Sequence, residues 1–388
     1  MINGEKLVEN PIRWAMVGGG RESQIGYIHR SAAQRDNNFH LVAGAFDVDP
    51  KKGKDFGVKL HVAAERCYPD YKTMLVEEAK REEGIQAVSI ATPNGTHYEI
   101  CKAVLNAGLH VVCEKPLCFT TKQAEELANL AKMKNRVVGI TYGYAGYQVI
   151  EQARQMIANG DLGEIRIINM QFAHGFHSEA VETENPSTKW RVDPNIVGPS
   201  YVLADLGTHP FFLSEVLLPK LKIKKLLCTR QSFVKSRAPL EDNAYTLMEY
   251  DNGAIGTVWS CAVNAGSMHE QKIRVIGSKA SIEWWDEHPN QLRYEIQGKP
   301  VQILERGMDY LYQEALVDDR ISGGHPEGLF EAWSNLYTRF AMAMGACDRG
   351  ETLNDIWFPG IEAGVEGVRW VENCVRSADN GAEWVEYQ

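Results

Sequence analysis

The 388-residue sequence has no run of basic residues, and its 41 Lys and Arg are outnumbered by 51 Asp and Glu, a formal net charge of −10. A surface so short of cations suits a phosphate backbone poorly, so nucleic acid is not an expected partner. No apolar stretch approaches the roughly 20 residues of a membrane-spanning helix, and no membrane partner is expected. The opening MINGEKLVENPIRWAMVGGG lacks the charged-then-apolar order of a signal peptide, which points to the cytoplasm. The eight cysteines form no C-x-x-C pair and have no histidines at zinc spacing, so packed thiols in a reducing compartment are expected and no metal is needed. Internal repeats and low-complexity segments are missing too. What remains is ordinary globular composition, 44% hydrophobic and 24% charged, on a chain long enough for two domains.

The first third alternates short apolar runs with helical stretches. IRWAMV, HLVAGAF, IQAVSIAT, LHVVCEK and RVVGITYGY read as strands; IGYIHRSAAQR, YKTMLVEEAKREE, THYEICKAVLNAG and TKQAEELANLAKMKN read as the helices between them. Continuous apolar strands separated by amphipathic helices predict a parallel, doubly wound α/β sheet covered on both faces. Past Tyr144 the rhythm changes. EIRIINMQFAHGF, a polar turn-rich segment from 177 to 200 and a helical run from Leu206 to Leu218 come first. KIKKLLCTRQSFV, NAYTLMEYDNGAIGTVWSCAV, HEQKIRVIGSKASIEWW and QLRYEIQG then predict antiparallel hairpins of a broad sheet, turned at Asp251-Asn252-Gly253 and Gly277-Ser278. Helices over about Leu329–Cys347 and Phe358–Ala378 close the chain. The boundaries expected are 1–145 for a dinucleotide-binding domain and 146–388 for a substrate-binding and oligomerisation α+β domain, whose last helix packs back on the first.

Directly after the first strand, VGGGRESQIGYIHR places Gly18 and Gly20 where the backbone must turn and approach a pyrophosphate, and Gly26 where a helix must pack closely. The spacing departs from G-x-G-x-x-G: Ser23 stands where the third glycine belongs, and Gly26 comes three residues late, so a longer loop, or glycines in a plain turn, also fits. The second strand leads into Asp47, placed to accept hydrogen bonds from the adenosine ribose and to repel a 2′-phosphate. No arginine follows it, so NAD is favoured over NADP. A solvated turn aspartate is the alternative. Thr92, Pro93 and Asn94 fall at the carboxyl edge of the sheet, with His97 in the first turn of the next helix; a capping role for Asn94 or Thr96 competes with a cofactor contact.

Lys115, in VVCEKPLCF, ends another strand on the same edge, beside Glu114 and Pro116. A partly desolvated lysine tip beside an oxidised, positively charged nicotinamide is a credible proton carrier; a surface lysine paired with Glu114 is the plain alternative. In ADLGTHPFFLSEV, Asp205 and His209 are one helical turn apart, a carboxylate and an imidazole on one face of an otherwise apolar helix, with Pro210 tolerated in the first turn. A capping aspartate and a packed histidine would give the same pattern. Trp190 offers a face for a sugar ring, Arg191 and Asp193 offer hydroxyl hydrogen bonds, and Pro194, Gly198 and Pro199 describe a shaped loop. His325, before Pro326, is expected to project from a helix start, and Tyr144 is a further pocket candidate. Trp190 and His325 could equally serve packing alone.

EKP after the strand, the ATPNGTH loop and D-x-G-T-H on a later helix together resemble the glucose–fructose oxidoreductase/inositol dehydrogenase (Gfo/Idh/MocA) family over nearly the whole chain. The resemblance implies an N-terminal Rossmann domain, a C-terminal domain on a large, mostly antiparallel sheet, and a homodimer or homotetramer formed through that sheet. By matching position it implies Lys115, Asp205 and His209 as the catalytic residues. It also implies contacts to NAD from Gly18, Gly20, Gly26, Asp47, Thr92, Pro93, Asn94, His97, Glu114 and Lys115. GYQVIEQAR, KWRVDPNIVGPSYVLADLGTH and GGHPEGLFEAW resemble members acting on pyranoses and cyclic polyols, with Tyr144, Trp190, Arg191, Asp205, His209 and His325 as substrate contacts; Gln148 replaces an expected proline. The implied activity is oxidation of a secondary ring hydroxyl to a ketone, His209 taking the proton directly or through Lys115. An NAD-retaining glycosidase that oxidises its sugar transiently is the alternative, and a cofactor-binding protein without chemistry is a third.

Overall fold

Five apolar runs form β1 (Ile12–Gly18), β2 (Phe39–Ala45), β3 (Ala87–Ala91), β4 (His110–Cys113) and β5 (Val138–Ile140), and every residue of the last three is buried. They pair in parallel in the order β2-β1-β3-β4-β5. Cys67 adds a single parallel bridge to Gly44 of β2, where one more strand would extend the edge. The strand order reverses between β1 and β3, the position at which such sheets take a nucleotide. Between the strands run α1 (Gln24–Gln34), α2 (Pro50–Lys59), α3 (Tyr71–Glu78), α4 (His97–Asn106) and α5 (Thr121–Lys134). Several begin on side-chain caps: the Ser23 oxygen accepts from Gly26 N–H, Asp49 from Lys51 and Lys52, Asp70 from Thr73 and Thr120 from Gln123. Each such cap stabilises its helix by about 1 kcal/mol.

The computed structural model describes residues 2–185, 189–352 and 357–388; positions 186–188 of the expected turn-rich segment lie outside them. By its contacts the chain forms two compact units, Asn3–Gly143 with Trp333–Val365, and Tyr144–Ala332 with Ile2 and Glu366–Gln388.

The second unit is built on nine strands: β6 (Ile165–Ala173), β7 (Ile223–Gln231), β8 (Asn243–Tyr250), β9 (Ile255–Cys261), β10 (Gln271–Gly277), β11 (Ala280–Trp285), β12 (Gln291–Ile296), β13 (Gln302–Glu305) and β14 (Val385–Glu386). Their order is β13-β12-β11-β10-β6-β9-β8-β7-β14, antiparallel except for the parallel pair β6 and β9. Burial alternates along β10 and much of β8, as in a sheet packed on one face. The expected hairpins are present; β13 and the C-terminal β14 are additions to them. Helices of this unit include α6 (Gln148–Ala158), α7 (Pro194–Val197), α8 (Thr208–Leu217) and α9 (Gln313–Leu316). Nine of the ten residues of α8 are buried, and its Phe211 stacks on Trp370 at 5.0 Å and 11°.

The two C-terminal helices are α10 (Leu329–Asp348) and α11 (Ile361–Asp379). Within the first unit, Trp333 of α10 lies so close to Gly143 that a Cβ there would stand 1.8 Å from the indole nitrogen, and Phe340 crowds Gly139 in the same way. The nucleotide-binding unit is therefore completed by chain from 333–365, far beyond position 145. No helix among the described residues is long and apolar enough to cross a membrane.

Candidate active-site residues

In the first unit, β1 ends in a glycine turn. Gly18 and Gly19 both have positive φ, +76° and +65°, a conformation that L-residues with a Cβ rarely adopt. A Cβ on Gly26 would stand 2.4 Å from the Gly19 Cα, and one on Gly20 would stand 2.7 Å from the Phe46 oxygen and 3.4 Å from Asp47 Oδ2. The turn, the start of α1 and the Asp47 carboxylate are thus in direct apposition, a cradle that side chains would fill and that fits a pyrophosphate at a helix N-terminus with its ribose beside Asp47. The irregular spacing has a local cause: Ser23, in place of a glycine, is the N-cap of α1 and moves the helix start back. Gly19 was not among the expected residues; its φ makes it as necessary as Gly18. Asp47 Oδ1 also accepts the Asp49 N–H at 2.9 Å, so the turn role and the ribose position coexist.

The other residues expected at the cofactor divide. Thr92 and Pro93 follow β3 at its carboxyl end, and the Thr92 hydroxyl oxygen accepts from Thr96 at 2.7 Å. Thr96 puts its hydroxyl on Thr92 and on the Pro93 carbonyl instead of capping α4, and Asn94 is buried. His97 is a correction. Its ring is wholly buried, with Nδ1 2.8 Å from the Pro116 oxygen and Nε2 2.9 Å from the Thr92 oxygen, so it ties two ligand-edge segments together and presents no atom to a cofactor. Burial holds the imidazole below its ordinary pKa. Lys115 is half-buried just past β4, and its peptide bond to Pro116 is cis. Glu114 is anchored in the core: Oε1 accepts from His29 Nε2 at 3.1 Å and from the Thr141 hydroxyl at 2.5 Å. Burial opposes its ionisation, but the hydrogen bond from His29, the Lys115 ammonium and Thr141 outweigh that and hold the carboxyl below its ordinary range.

In the second unit, the D-x-G-T-H segment is no plain helix. Leu203–Gly207 is a π-turn, with the Thr208 N–H reaching back to the Leu203 oxygen, and α8 begins only at Thr208, which puts Pro210 third in the α-helix. Such turns recur at functional sites because they re-aim side chains. Gly207 is required by close approach, since a Cβ would stand 2.4 Å from Ser260 Oγ and 2.9 Å from the Trp370 ring. The helical stretch is capped from a distance: buried Glu241 accepts from the N–H groups of Tyr201 and Leu203 at 3.0 and 3.1 Å and from Ser200 at 2.5 Å.

Asp205 and His209 come together with two of the expected neighbours. Arg191 Nε lies 3.6 Å from Asp205 Oδ2, and its guanidinium stacks 4.5 Å over the Trp190 ring. At that separation and partial exposure the pair contributes at most about 1 kcal/mol, so a ligand can displace it. The Tyr144 ring meets His209 edge-on at 5.0 Å and 90°. Burial, with the charges of Asp286, Tyr147 and Asp205, pushes the Tyr144 phenol well above its ordinary pKa, so its hydroxyl stays protonated. The Asp193 carboxylate caps α7, its Oδ1 accepting the Asn195 N–H at 2.9 Å. His325 is a correction. It sits in an exposed turn four residues before α10, its carbonyl held by Arg306, so it does not project from a helix start. Gln148, where proline was expected, opens α6 and accepts the Gly307 N–H at 2.8 Å, pinning a loop.

Three histidines at this place were not singled out. His174 follows β6 directly, and burial lowers it to about 4. His177 is hydrogen-bonded to the Tyr201 hydroxyl. His269 packs on Phe172 at 4.4 Å, approaches the Tyr144 hydroxyl at 3.4 Å and has Nδ1 hydrogen-bonded to Asp286. Its presentation is built into the backbone: Glu270 is held at φ +57°, with the N–H groups of His269 and Glu270 both donating to Glu287 at 3.1 Å. The signal for His174 was its place at the end of a strand beside EIRIINMQFA; His269 and Asp286 lie 17 residues apart and only the β10–β11 hairpin joins them.

Residues 12–142 match the model of the oxidoreductase family's NAD-binding Rossmann fold, and residues 154–387 match that of its C-terminal alpha/beta domain. The chain is 57% identical over 392 residues to the uncharacterized oxidoreductase YfiI of Bacillus subtilis, covering all of both proteins. Solved structures of an inositol dehydrogenase homologue from Azotobacter vinelandii superpose on it with TM-scores of 0.99 (with NAD+, 71% identity) and 0.96 (with NADH and myo-inositol, 70% identity), again over all of both chains. Levoglucosan dehydrogenase of Pseudarthrobacter phenanthrenivorans is 26% identical over 229 residues, 54% of this chain and 57% of that protein. The glycine cradle with Asp47 and the two matched domains have one reading, that this chain is an NAD-dependent oxidoreductase of the GFO/IDH/MocA family, of the inositol and sugar dehydrogenase type.

Proposed function

We propose that the protein oxidises one secondary ring hydroxyl of a cyclic polyol or pyranose to a ketone, with myo-inositol the first substrate to try. The observation that carries this reading is the lining around His209: Asp205, Arg191, His174, His269 and Tyr144 offer charged, imidazole and phenolic groups beside the flat faces of Trp190 and Phe172, a composition suited to a hydroxyl-rich ring. The Azotobacter homologue crystallised with NADH and myo-inositol supports it. NAD, when bound, supplies the acceptor for the carbon-bound hydrogen as hydride. His209 takes the hydroxyl proton, directly or through Lys115, while Lys115 and Asp205 hold and polarise the oxygen. The remaining ring hydroxyls are set by His174, His269 and Arg191, and so decide which carbon reacts. Asp47 beside Gly20 makes NAD the preferred cofactor over NADP.

A homo-oligomer formed through the large sheet is part of the proposal. Tyr245 and Trp259 stack at 5.7 Å and 2° on the face where Tyr245 and Ile167 are exposed, an apolar surface suited to a second copy.

The test is NADH formation by the purified protein over inositols, monosaccharides, anhydrosugars and glycosides, with NADP in parallel. Saturable NADH production with an inositol or pyranose, weaker with NADP, is expected. Glycoside cleavage without accumulating NADH would replace the reading with the redox-assisted glycosidase, and no turnover with any member of the panel would remove it.

A further inference from the structure

A chain of polar side chains runs through the core of the nucleotide-binding unit and ends beside Lys115. Trp14 Nε1 donates to Ser89 Oγ at 2.8 Å; Ser89 Oγ lies 2.9 Å from the Tyr337 hydroxyl; that hydroxyl lies 2.5 Å from His29 Nδ1; and His29 Nε2 lies 3.1 Å from Glu114 Oε1. The four residues from Trp14 to His29 are at most 1% exposed, and Glu114 is 8% exposed. The links come from β1, β3, α10, α1 and the segment after β4, so no short sequence motif contains them.

The ends of this chain fix its direction. An indole N–H can only donate, and a carboxylate can only accept. If every proton points the same way, Trp14 gives to Ser89, Ser89 to Tyr337, Tyr337 to His29 Nδ1, and the single proton of a neutral His29 sits on Nε2 and points at Glu114. Every donor then has an acceptor. Protonating His29 at Nδ1 would turn Tyr337 around toward Ser89, whose oxygen can accept from both Trp14 and Tyr337 but whose own proton would then have no acceptor within this chain. The Thr141 hydroxyl adds a second donor at Glu114 Oε1. Two donors converging on one carboxyl oxygen favour the ionised form and fix its orientation, and unpaired burial would do the opposite.

We propose that His29 and Tyr337 are positioning residues that keep Glu114 ionised and oriented, and that Glu114 in turn holds the neighbouring Lys115 ammonium where the reaction needs it. Among the described residues, Cys113 on the same segment and His97 from α4 also bear on Glu114; His97 is occupied by the Pro116 and Thr92 carbonyls, and Cys113 is buried with its thiol on the Glu114 carbonyl. Neither replaces His29 as a donor to the carboxylate. Dispersion contacts hold the imidazole in place independently, its ring edge-on to Trp333 at 5.1 Å and to Tyr337 at 5.9 Å, so removing one hydrogen bond need not unfold the site.

This inference rests on the proposed role of Lys115. Its test is the pH profile of kcat/KM, from about pH 5 to about pH 9, in Tyr337→Phe, His29→Leu and His29→Gln, with NAD affinity followed across the same range by quenching of tryptophan fluorescence. Loss of the tautomer-fixing hydroxyl or of the donor lets burial dominate at Glu114, so the acid limb moves toward neutrality by about one pH unit and kcat/KM at about pH 5 falls about threefold in Tyr337→Phe and more in His29→Leu. Glutamine, which keeps a donor but cannot titrate, restores much of the profile, and NAD affinity near pH 8 stays within about threefold throughout. Acid limbs unchanged in both Tyr337→Phe and His29→Leu overturn the proposal, as does a uniform fall in activity that tracks thermal stability. A fully active Lys115→Met variant would instead overturn the reading beneath it.

Discussion

Lys115→Met binds NAD and does not turn it over. Methionine keeps the length and apolar stem of the side chain and removes the ammonium, so the change isolates the charge and the proton. Lys115 is half-buried directly after β4, beside an ionised Glu114 and the His97-tied Pro116, a place where its main chain is fixed on both sides. Proton transfer by a positioned group contributes about 10²–10⁴-fold, and removal of the group that also polarises the substrate oxygen falls at the upper end. The expected loss in kcat is at least about 10³-fold, or about 4 kcal/mol of transition-state stabilisation, with the dissociation constant for NAD changed by less than about threefold. Stopped-time NADH assays beside fluorescence titration with NAD read both quantities. Turnover within about tenfold of the parent would take Lys115 out of the chemistry.

Glu215→Gln stabilises the protein at neutral and alkaline pH and leaves it unchanged in acid. Glu215 lies on α8, the helix that carries His209, and burial with the nearby Glu366 carboxylate pushes it from 4.5 up to about 7. Glu366 is itself held by the Tyr387 hydroxyl at 2.6 Å. A carboxyl whose folded-state pKa is raised binds its proton more tightly in the native protein. Its contribution is therefore fully present below the unfolded value and is lost as pH rises through about 7. The difference of about 2.5 pH units corresponds to about 3 kcal/mol lost between about pH 4.5 and pH 8, somewhat less to the extent that the half-buried carboxyl reaches solvent. Glutamine cannot ionise, so the variant gains about 2–3 kcal/mol over the parent at pH 8 and nothing at pH 4.5. Urea unfolding at the two pH values checks it; a variant equal to or less stable than the parent at pH 8 would show that Glu215 is solvated or paired in the folded protein.

The nucleotide-binding sheet was legible because its strands are buried on both faces and so read as unbroken apolar runs, and because helices of ordinary length separate them. The glycine turn was legible in part. Gly18, Gly20 and Gly26 declared themselves, but the need for glycine at position 19 comes from its φ and from Gly26 packed against it, which spacing alone does not express. Lys115 and the D-x-G-T-H segment were visible as polar residues interrupting apolar surroundings. The π-turn at Leu203–Gly207 was not, since the cap that organises the segment is Glu241, 36 residues beyond Asp205, and the close contacts that require Gly207 come from Ser260 and Trp370. On chemistry and position His97, Glu114, Asp193 and His325 read as ligand groups; the folded chain gives the His97 ring to backbone carbonyls, one Glu114 oxygen to a buried histidine and one Asp193 oxygen to a helix cap, and sets His325 in an exposed turn. His174, His177, His269 and Asp286 escaped notice because an isolated histidine carries no signal until strand pairing sets it beside others. The link from Trp14 to Glu114 escaped for the same reason, its members being spread from position 14 to position 337. The parallel pair β6 and β9, with the edge strands β13 and β14, depends on long-range pairing that local alternation does not specify.

The most direct test of the account is the fate of the carbon-bound hydrogen. Myo-inositol deuterated at every ring carbon, incubated with NAD and the protein, should yield a keto-inositol together with NADH that carries one deuterium from the substrate by mass spectrometry, and Lys115→Met should yield neither. Reduced cofactor without the label, or label released to water with no net NADH, would contradict direct hydride transfer from a ring carbon.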